Sequence, residues 1–439
     1  MLTTLKNAFK IKDVRSKLLF TFAMLVVVRF GCNLTVPGVN SAYFSQWFAE
    51  QTGYASGFFD AITGGSFMNF SIFALNITPY ITSSIIMQLL TIAIPRLEEM
   101  QRDGEEGRKK IAAITRYVTV GLALIESAAM AIGFGKSGLL QEGAVVLDYI
   151  VVIVALTAGS AFIMWIGERI TEKGVGNGIS IVLVINIISR MPTDLYNLYE
   201  KFVKNASTIA MGVIAALIIV AVIVGMICLV VILNGGVRKI PVQYAKKVQG
   251  RKMVGGQSTN IPLKVNTAGV IPIIFASSLM QFPLVIVQLL GYKGTGVGAE
   301  ILKGLNSSNW CNPKTPVYSL GLLIYVVMVI AFAYFYTSIT FNPLEVSNNI
   351  KKQGGFIPGI RPGKPTTEYL TKVLKHIIFI GACGLIILAV LPFIFNGVFG
   401  ADISFGGTSL IIIVSVILET IKQIESLMLV RNYKGFLND

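Results

Sequence analysis

One histidine and four cysteines limit the chemistry open to this chain. Cys32, Cys228, Cys311 and Cys383 lie far apart, without metal-ligand spacing, and three sit in apolar runs, so they read as unpaired thiols. His376 opens an apolar run beside Lys375, which suits an interface better than a catalytic base. A Ser/His/Asp set or a Cys/His metal cluster cannot be assembled from a single histidine. Gly135-Lys136-Ser137 looks like the end of a phosphate loop, but the glycine such a loop needs five residues earlier is Met130. Two charges remain inside apolar stretches, Arg29 and Glu126, and a charge at such a position is a functional candidate by default. Arg29, near Gly31 and Asn33, equally fits a structural part, snorkelling or bonding helix ends, and the structural part is favoured. The chain is therefore not expected to be an enzyme, and neither metal nor cofactor is expected.

The elements that carry these residues are apolar and many. Hydrophobic residues make up 54% of the chain and charged residues 13%, with a mean hydropathy of +0.71. Soluble domains run at about 45–50% apolar and about 25% charged. Windows of about 20 apolar residues give ten spans, roughly Leu18–Val36, Ser71–Ile94, Ile111–Gly133, Tyr149–Ile170, Ile179–Met191, Ile209–Leu233, Thr267–Leu290, Val317–Phe341, Leu374–Phe395 and Thr408–Ile424. No cleavable signal peptide is evident. With ten spans, 29 of the 37 Lys and Arg fall on the side of the termini, 7 on the other and Arg29 within a span, so both termini are expected in the cytoplasm. Five spans (1–190) precede a connection at 191–208, expected as an external hinge loop, and five (209–439) follow it. An odd number per half gives the halves opposite orientations.

Two loops on the basic side are long. Residues 234–265 hold seven basic residues up to Lys264 and no Asp or Glu, and the alternation of Ile240, Val242 and Tyr244 predicts a protruding hairpin. Residues 342–367 are dense in Gly and Pro, and Arg361 stands just before Pro362 in IPGIRPG. They read either as solvated basic loops or as a docking platform for an acidic or nucleic-acid-bearing partner.

Residues 57–70, GFFDAITGGSFMNF, are apolar but broken. Asp60, Gly64, Gly65, Ser66 and Asn69 interrupt Phe58, Phe59, Phe67 and Phe70, so a lipid-facing helix would expose polar groups to hydrocarbon. A re-entrant, plug-like piece sheltered in a bundle is expected. The span after it carries Thr78, Pro79, Thr82, Ser83, Ser84 and Gln88, positions that need other helices or water beside them.

Five blocks, IPRLEEMQRDGEEGRKKIAAITRY, WIGERITEKGVGNGISI, QSTNIPLKVNTAGVIPIIFASSLMQFP, FNPLEVSNNIKKQGGFIPGIRPG and FGGTSLIIIVSVILET, resemble the bacterial SecY family, channel subunits of the secretory translocon, in the same order along nearly the whole chain. The resemblance implies an all-α polytopic membrane protein, a clamshell of ten transmembrane helices in two inverted five-helix halves with a re-entrant plug at 57–70. It implies a pore ring of Ile77, Ile81, Ile179, Leu183, Ile274 and Ile412, where Leu183 stands in place of an isoleucine. Such a ring seals by dewetting. It implies a lateral gate between the second and seventh spans, formed by Ser83, Ser84, Met87, Gln88, Asn266, Ser277, Ser278 and Gln281, with interhelical bonds worth about 0.6–2 kcal/mol each. It further implies docking of the ribosome, its large-subunit RNA included, and of the SecA ATPase through Arg251, Lys252 and Arg361. The expected membrane partners are SecE, SecG and lipids, the substrates signal-bearing polypeptides, and the site a bacterial inner membrane. A small-solute transporter of five-plus-five repeats also has ten spans and no ATP site, but leaves the two basic loops unexplained. A scaffold without a conduit leaves the polar seam unexplained.

Overall fold

A computed structural model describes residues 9–41, 43–46, 63–135, 146–205, 208–244, 247–249, 252–254, 258–289, 296–311, 313, 315–399 and 407–435. The helices are α1 (Lys12–Gly31), α2 (Thr78–Ala93), α3 (Pro95–Arg102), α4 (Glu105–Phe134), α5 (Val146–Lys173), α6 (Gly178–Leu198), α7 (Ile209–Gly235), α8 (Ile271–Leu289), α9 (Val297–Leu305), α10 (Leu320–Thr340), α11 (Pro343–Lys352), α12 (Lys364–Phe399) and α13 (Gly407–Gly435). Each of the ten apolar windows overlaps one of them. By length and composition six helical stretches among the described residues can cross a membrane, or seven if α2 and α3 count as one broken span.

Several helices outrun their windows because polar residues continue the helix beyond the apolar run. α12 begins ten residues before its window, and α13 continues past its window to Gly435. The expected hinge loop at 191–208 is a correction of this kind. α6 passes through Pro192 to Leu198, and a π-turn continues to Lys204. The second window errs in the other direction. Residues 72–77 are turns, Asn76 has φ +50°, and α2 starts at Thr78 with Pro79 in its first turn. At about 1.5 Å per residue α2 is about 24 Å long, short of the roughly 30 Å hydrocarbon core. Its other end stops at Ile94, whose extended backbone before Pro95 turns α3 away by 102°.

Packing divides the helices into two sets. α1, α2, α4, α5 and α6 pack on one another, as do α7, α8, α10, α12 and α13. The sets meet where α6 and α1 touch α13 and where α4 touches α8. A further apolar cluster of Val14, Val175 and Ile424 ties the start of α1 to the α5–α6 turn and the end of α13. α7 turns most of its side chains outward, with Ile209, Leu217 and Ile232 all more than 60% exposed. That surface needs an apolar surround.

The two long basic loops form one structure, so the all-α expectation needs correcting outside the bundle. β1 (Val237–Tyr244) pairs antiparallel with β4 (Ser258–Lys264), the predicted hairpin, and its other edge takes β5 (Gly355–Phe356) from the second loop. β5 meets only Gln243 and Tyr244, beyond Pro241, which has no N–H to offer that edge. β2 (Lys247–Gln249) and β3 (Lys252–Val254) form a separate tip. The sheet has its own core, with Ile240, Val242 and Leu263 packed on Ile350, Ile357 and Leu370. α11 is capped by Asn342, whose Oδ1 accepts from the N–H groups of Leu344 and Glu345 with Pro343 at the first helical position.

Candidate functional site

Around Ile81 two aliphatic clusters share a residue. One holds Ile77 with Val28, Ile163, Ile166 and Val182, and Ile81 and Ile179 pack on it. The other joins Leu183 and Ile187 of α6 to Ile412 and Ile413 of α13, and Ile81 packs on it too. Branched side chains from α2, α6 and α13 thus close on one another where the two helix sets meet. Five of the six residues expected in a ring are brought together. Ile77, at 1% exposure, lies within the core of its own helix set. Ile274 is half-buried on α8, one turn beyond Val270, which packs on the second cluster; Ile274 itself belongs to neither cluster.

Beside this collar lies the described part of the broken segment, residues 63–70. Phe58, Phe59 and Asp60 lie outside the described residues. Gly64 and Gly65 take φ of +67° and +87°, conformations that disfavour side chains. The Gly64 carbonyl accepts from Arg29 Nη1 at 3.1 Å, and the same nitrogen lies 3.4 Å from Asn186 Oδ1 of α6. Ser66 Oγ lies 2.8 Å from the Thr63 carbonyl and 2.9 Å from that of Phe73. Asn76 Nδ2 donates to Thr63 O at 3.2 Å, its Oδ1 accepts from the N–H of Ile77 at 2.8 Å, and Ser160 donates to its carbonyl at 3.1 Å. A short bridge, Thr35 to Ser71, fixes the segment's end to the chain after α1. Phe67 and Phe70 meet Phe44 edge-on at 5.9 and 5.0 Å, and Phe134 completes the group. Asn69 is exposed.

The sequence reading missed Phe44, Phe134 and Asn186. Only the position of Asn186 inside an apolar run hinted at a role. Arg29 was singled out, and the structure places its guanidinium between the Gly64 carbonyl and Asn186 of α6 rather than at a helix end.

The expected seam is different in detail. Ser83 is fully buried and donates to Pro79 O of its own helix at 2.7 Å. Met87 is buried, Ser84 half-buried and Gln88 exposed. Ser277 is half-buried and Ser278 exposed on α8, and the side chain of Gln281 is not described. Asn266 donates to Asn234 Oδ1 at 3.0 Å, and Asn234 donates to Ser415 Oγ of α13 at 2.8 Å. These bonds stay within a helix or within one helix set, so none of them ties α2 to α8. α2 rests on α4, and α8 rests on α10 and touches α4.

On the basic side Arg361 is exposed at the top of the second loop. Gly359 and Gly363, with φ of +82° and +104°, shape its backbone. Thr366 donates to the Arg361 carbonyl at 2.8 Å, and Ser347 to that of Gly363 at 3.0 Å. Arg251 lies outside the described residues. Lys252 opens β3, and only its backbone is described. Among the described residues no group of His, Cys, Asp or Glu is arranged to hold a metal ion.

The family model described as SecY matches residues 71–421. The protein translocase subunit SecY of Halalkalibacterium halodurans is 43% identical over 449 aligned residues, covering all of both chains. That of Streptomyces scabiei is 44% identical and that of Bacillus subtilis 40%, each again over all of both chains. Among solved structures, one described as "The structure of a protein conducting channel" has a TM-score of 0.61 at 18% identity, covering 94% of this chain and 92% of that one. One described as "Sec61 in the Canine ribosome-channel complex from the endoplasmic reticulum" has a TM-score of 0.58 at 16% identity, with the same coverage. At those identities the likeness is one of fold.

Proposed function

This chain belongs to the SecY family, and from that premise we propose that it is the protein-conducting channel of a bacterial secretory translocon. It passes unfolded polypeptides across the membrane and releases apolar segments sideways into lipid. It is a channel and not an enzyme, driven by a partner ATPase or by the ribosome. The finer architecture is part of the proposal: ten spans in two inverted halves, 1–190 and 209–439, with 57–70 as plug and both termini in the cytoplasm of a bacterial inner membrane.

The observation that carries the reading is the collar at Ile81. Aliphatic side chains offer water and ions no hydrogen bonds, so a narrow ring of them excludes both by dewetting. They also close without directional demands around whatever backbone passes. The ring comprises Ile77, Ile81, Ile179, Leu183 and Ile412, with Ile274 joining as the halves part. The gate is the boundary between α2 and α8 (Ser83, Ser84, Met87, Gln88, Asn266, Ser277, Ser278 and Gln281). An apolar segment entering there gains about 0.3–0.6 kcal/mol per Leu, Ile, Phe or Val on moving to lipid. The β1–β4–β5 platform, with Arg251, Lys252 and Arg361, docks the SecA motor and the ribosome's large subunit, RNA included. SecE and SecG pack on the apolar outer helices.

Crosslinking tests the reading. Ile81→Cys, in a chain otherwise free of cysteine, is reconstituted in liposomes with the motor and a polypeptide stalled by a folded domain. A disulfide to that polypeptide, formed only with motor and ATP, is expected. If position 81 stays unreactive while lipid-facing positions of α7 react with membrane probes, the collar is not the conduit.

A further inference from the structure

The charge inside the first span has a task that the channel reading alone does not supply. We propose that Arg29 is a latch for the plug, a positioning residue whose guanidinium holds the plug's backbone on α6 in the resting channel; this rests on residues 57–70 being the plug. Three parts of the chain converge there. Arg29 is half-buried on α1, its Nη1 donates to the Gly64 carbonyl at 3.1 Å, and Asn186 Oδ1 of α6 lies 3.4 Å away. A bond from a charged donor is roughly twice as strong as a neutral one, and stronger again away from water.

The receiving surface is shaped for backbone. A Cβ on Gly64 would come within 2.7 Å of Arg29 Nη1 and 2.9 Å of the Asn186 Cα. Gly64 thus lets the plug lie directly on α6, and Gly65 lies 3.7 Å by the same measure from Arg190 one turn further on. Asn186 is fully buried, and its Nδ2 has no partner among the described residues.

The latch acts on a carbonyl, so it constrains where the plug sits and not which side chains it carries. When the plug leaves, the guanidinium exchanges the carbonyl for water in the opened cavity, and the loss of that bond sets part of the cost of opening. Arg29 meets no passing polypeptide while the plug is in place; its effect is on the resting equilibrium.

Cys32 supplies the control. It is buried in one cluster with Phe73, whose carbonyl accepts from Ser66 Oγ at 2.9 Å, so Ser66→Cys puts a second thiol beside it for oxidation to join and reduction to release. The full chain, purified with its accompanying subunits and with the other three cysteines replaced, is recorded in planar bilayers without substrate. Reduced, Arg29→Met in the Ser66→Cys background should raise the resting open frequency about tenfold over Ser66→Cys alone. Oxidised, that ratio should fall to about one, because the disulfide replaces the latch. A reduced ratio near one, or a tenfold ratio surviving oxidation, overturns the latch, since in the second case the leak comes from a distorted bundle. The plug reading is judged separately. With Arg29 intact, the oxidised pair should stop polypeptide passage, and continued passage would show that 57–70 is not a plug. If Arg29→Met does not accumulate, Arg29→Lys should give a smaller rise of the same sign, and no rise overturns the latch.

Discussion

Around Ile81 the contacts are aliphatic and carry no direction, whereas around Gly64 they are hydrogen bonds with fixed donors and acceptors. Both lie in the same bundle and both draw on α6, through Leu183 in one case and Asn186 in the other. The difference separates two demands that a resting channel must meet. A seal has to tolerate many shapes, and dispersion contacts between branched side chains do that, since each is worth only about 0.1–0.2 kcal/mol. A movable part has to return to one place, and that needs directional bonds, which lose strength steeply when misaligned.

The comparison breaks first at the collar. Ile81→Asp places a carboxylate among Ile77, Ile179, Leu183 and Ile412, where burying an unpaired charge is prohibitive. The collar is expected to wet, and resting ion conductance should rise more than tenfold, read by single-channel recording. Ile81→Val, which keeps the branched surface, should stay within about twofold of the unaltered channel. Equal conductance for Asp and Val would show that sealing is not done here.

The seat comes next. Gly64→Val combines a φ of +67° with a Cβ approach of 2.7 Å to Arg29 and 2.9 Å to α6 backbone. Strain of this kind runs at about 1–3 kcal/mol, so the plug should sit displaced and the resting open frequency should rise by about tenfold. Gly65→Ala has a positive φ but only an ordinary contact at 3.7 Å, and its effect should be clearly smaller. If the two glycines behave alike, backbone conformation rather than close approach to α6 decides the seat.

How much of this was legible in the sequence follows the same division. Each apolar window falls on a helix among the described residues, because hydrophobic length is a property of the residues themselves. The alternation of Ile240, Val242 and Tyr244 announced β1, whereas the isoleucines and Leu183 could be proposed as a ring only through the family resemblance, because isoleucines at helical spacing in apolar spans are otherwise ordinary lipid or core contacts. Directional contacts were not legible. Asn266 was expected at a seam, but that it bonds Asn234 could not be foreseen, since an amide's partner depends on the fold around it. Arg29 was conspicuous, but its acceptor is a backbone carbonyl that no residue type encodes. β5, two residues long, has no periodicity to read, and the helix ends beyond the membrane carry no apolar signal.

The smallest effect is expected where a directional bond is left in water. Outside the spans, on α9, Lys303 Nζ donates to Glu300 Oε1 at 2.8 Å with both side chains more than half exposed, and Tyr318 donates to the other carboxylate oxygen. The bonds from Lys303 and then Tyr318 hold the Glu300 carboxyl below its ordinary value, and the bond to Glu300 holds Lys303 above its own. A lowered carboxyl contributes above its unfolded pKa and loses that contribution as pH falls through the folded value. A raised lysine contributes below its unfolded pKa and loses it as pH rises through the folded one. α9 should therefore be held most firmly between the ordinary carboxylate and lysine values, and its amide hydrogen exchange should quicken only slightly at either edge. Glu300→Gln should flatten that dependence at both edges while leaving resting conductance unchanged, because solvent screens an exposed pair to little net worth. If Glu300→Gln raised the leak as Arg29→Met is expected to, burial would not be what separates a latch from a surface ion pair, and the contrast between seat and surface would fail.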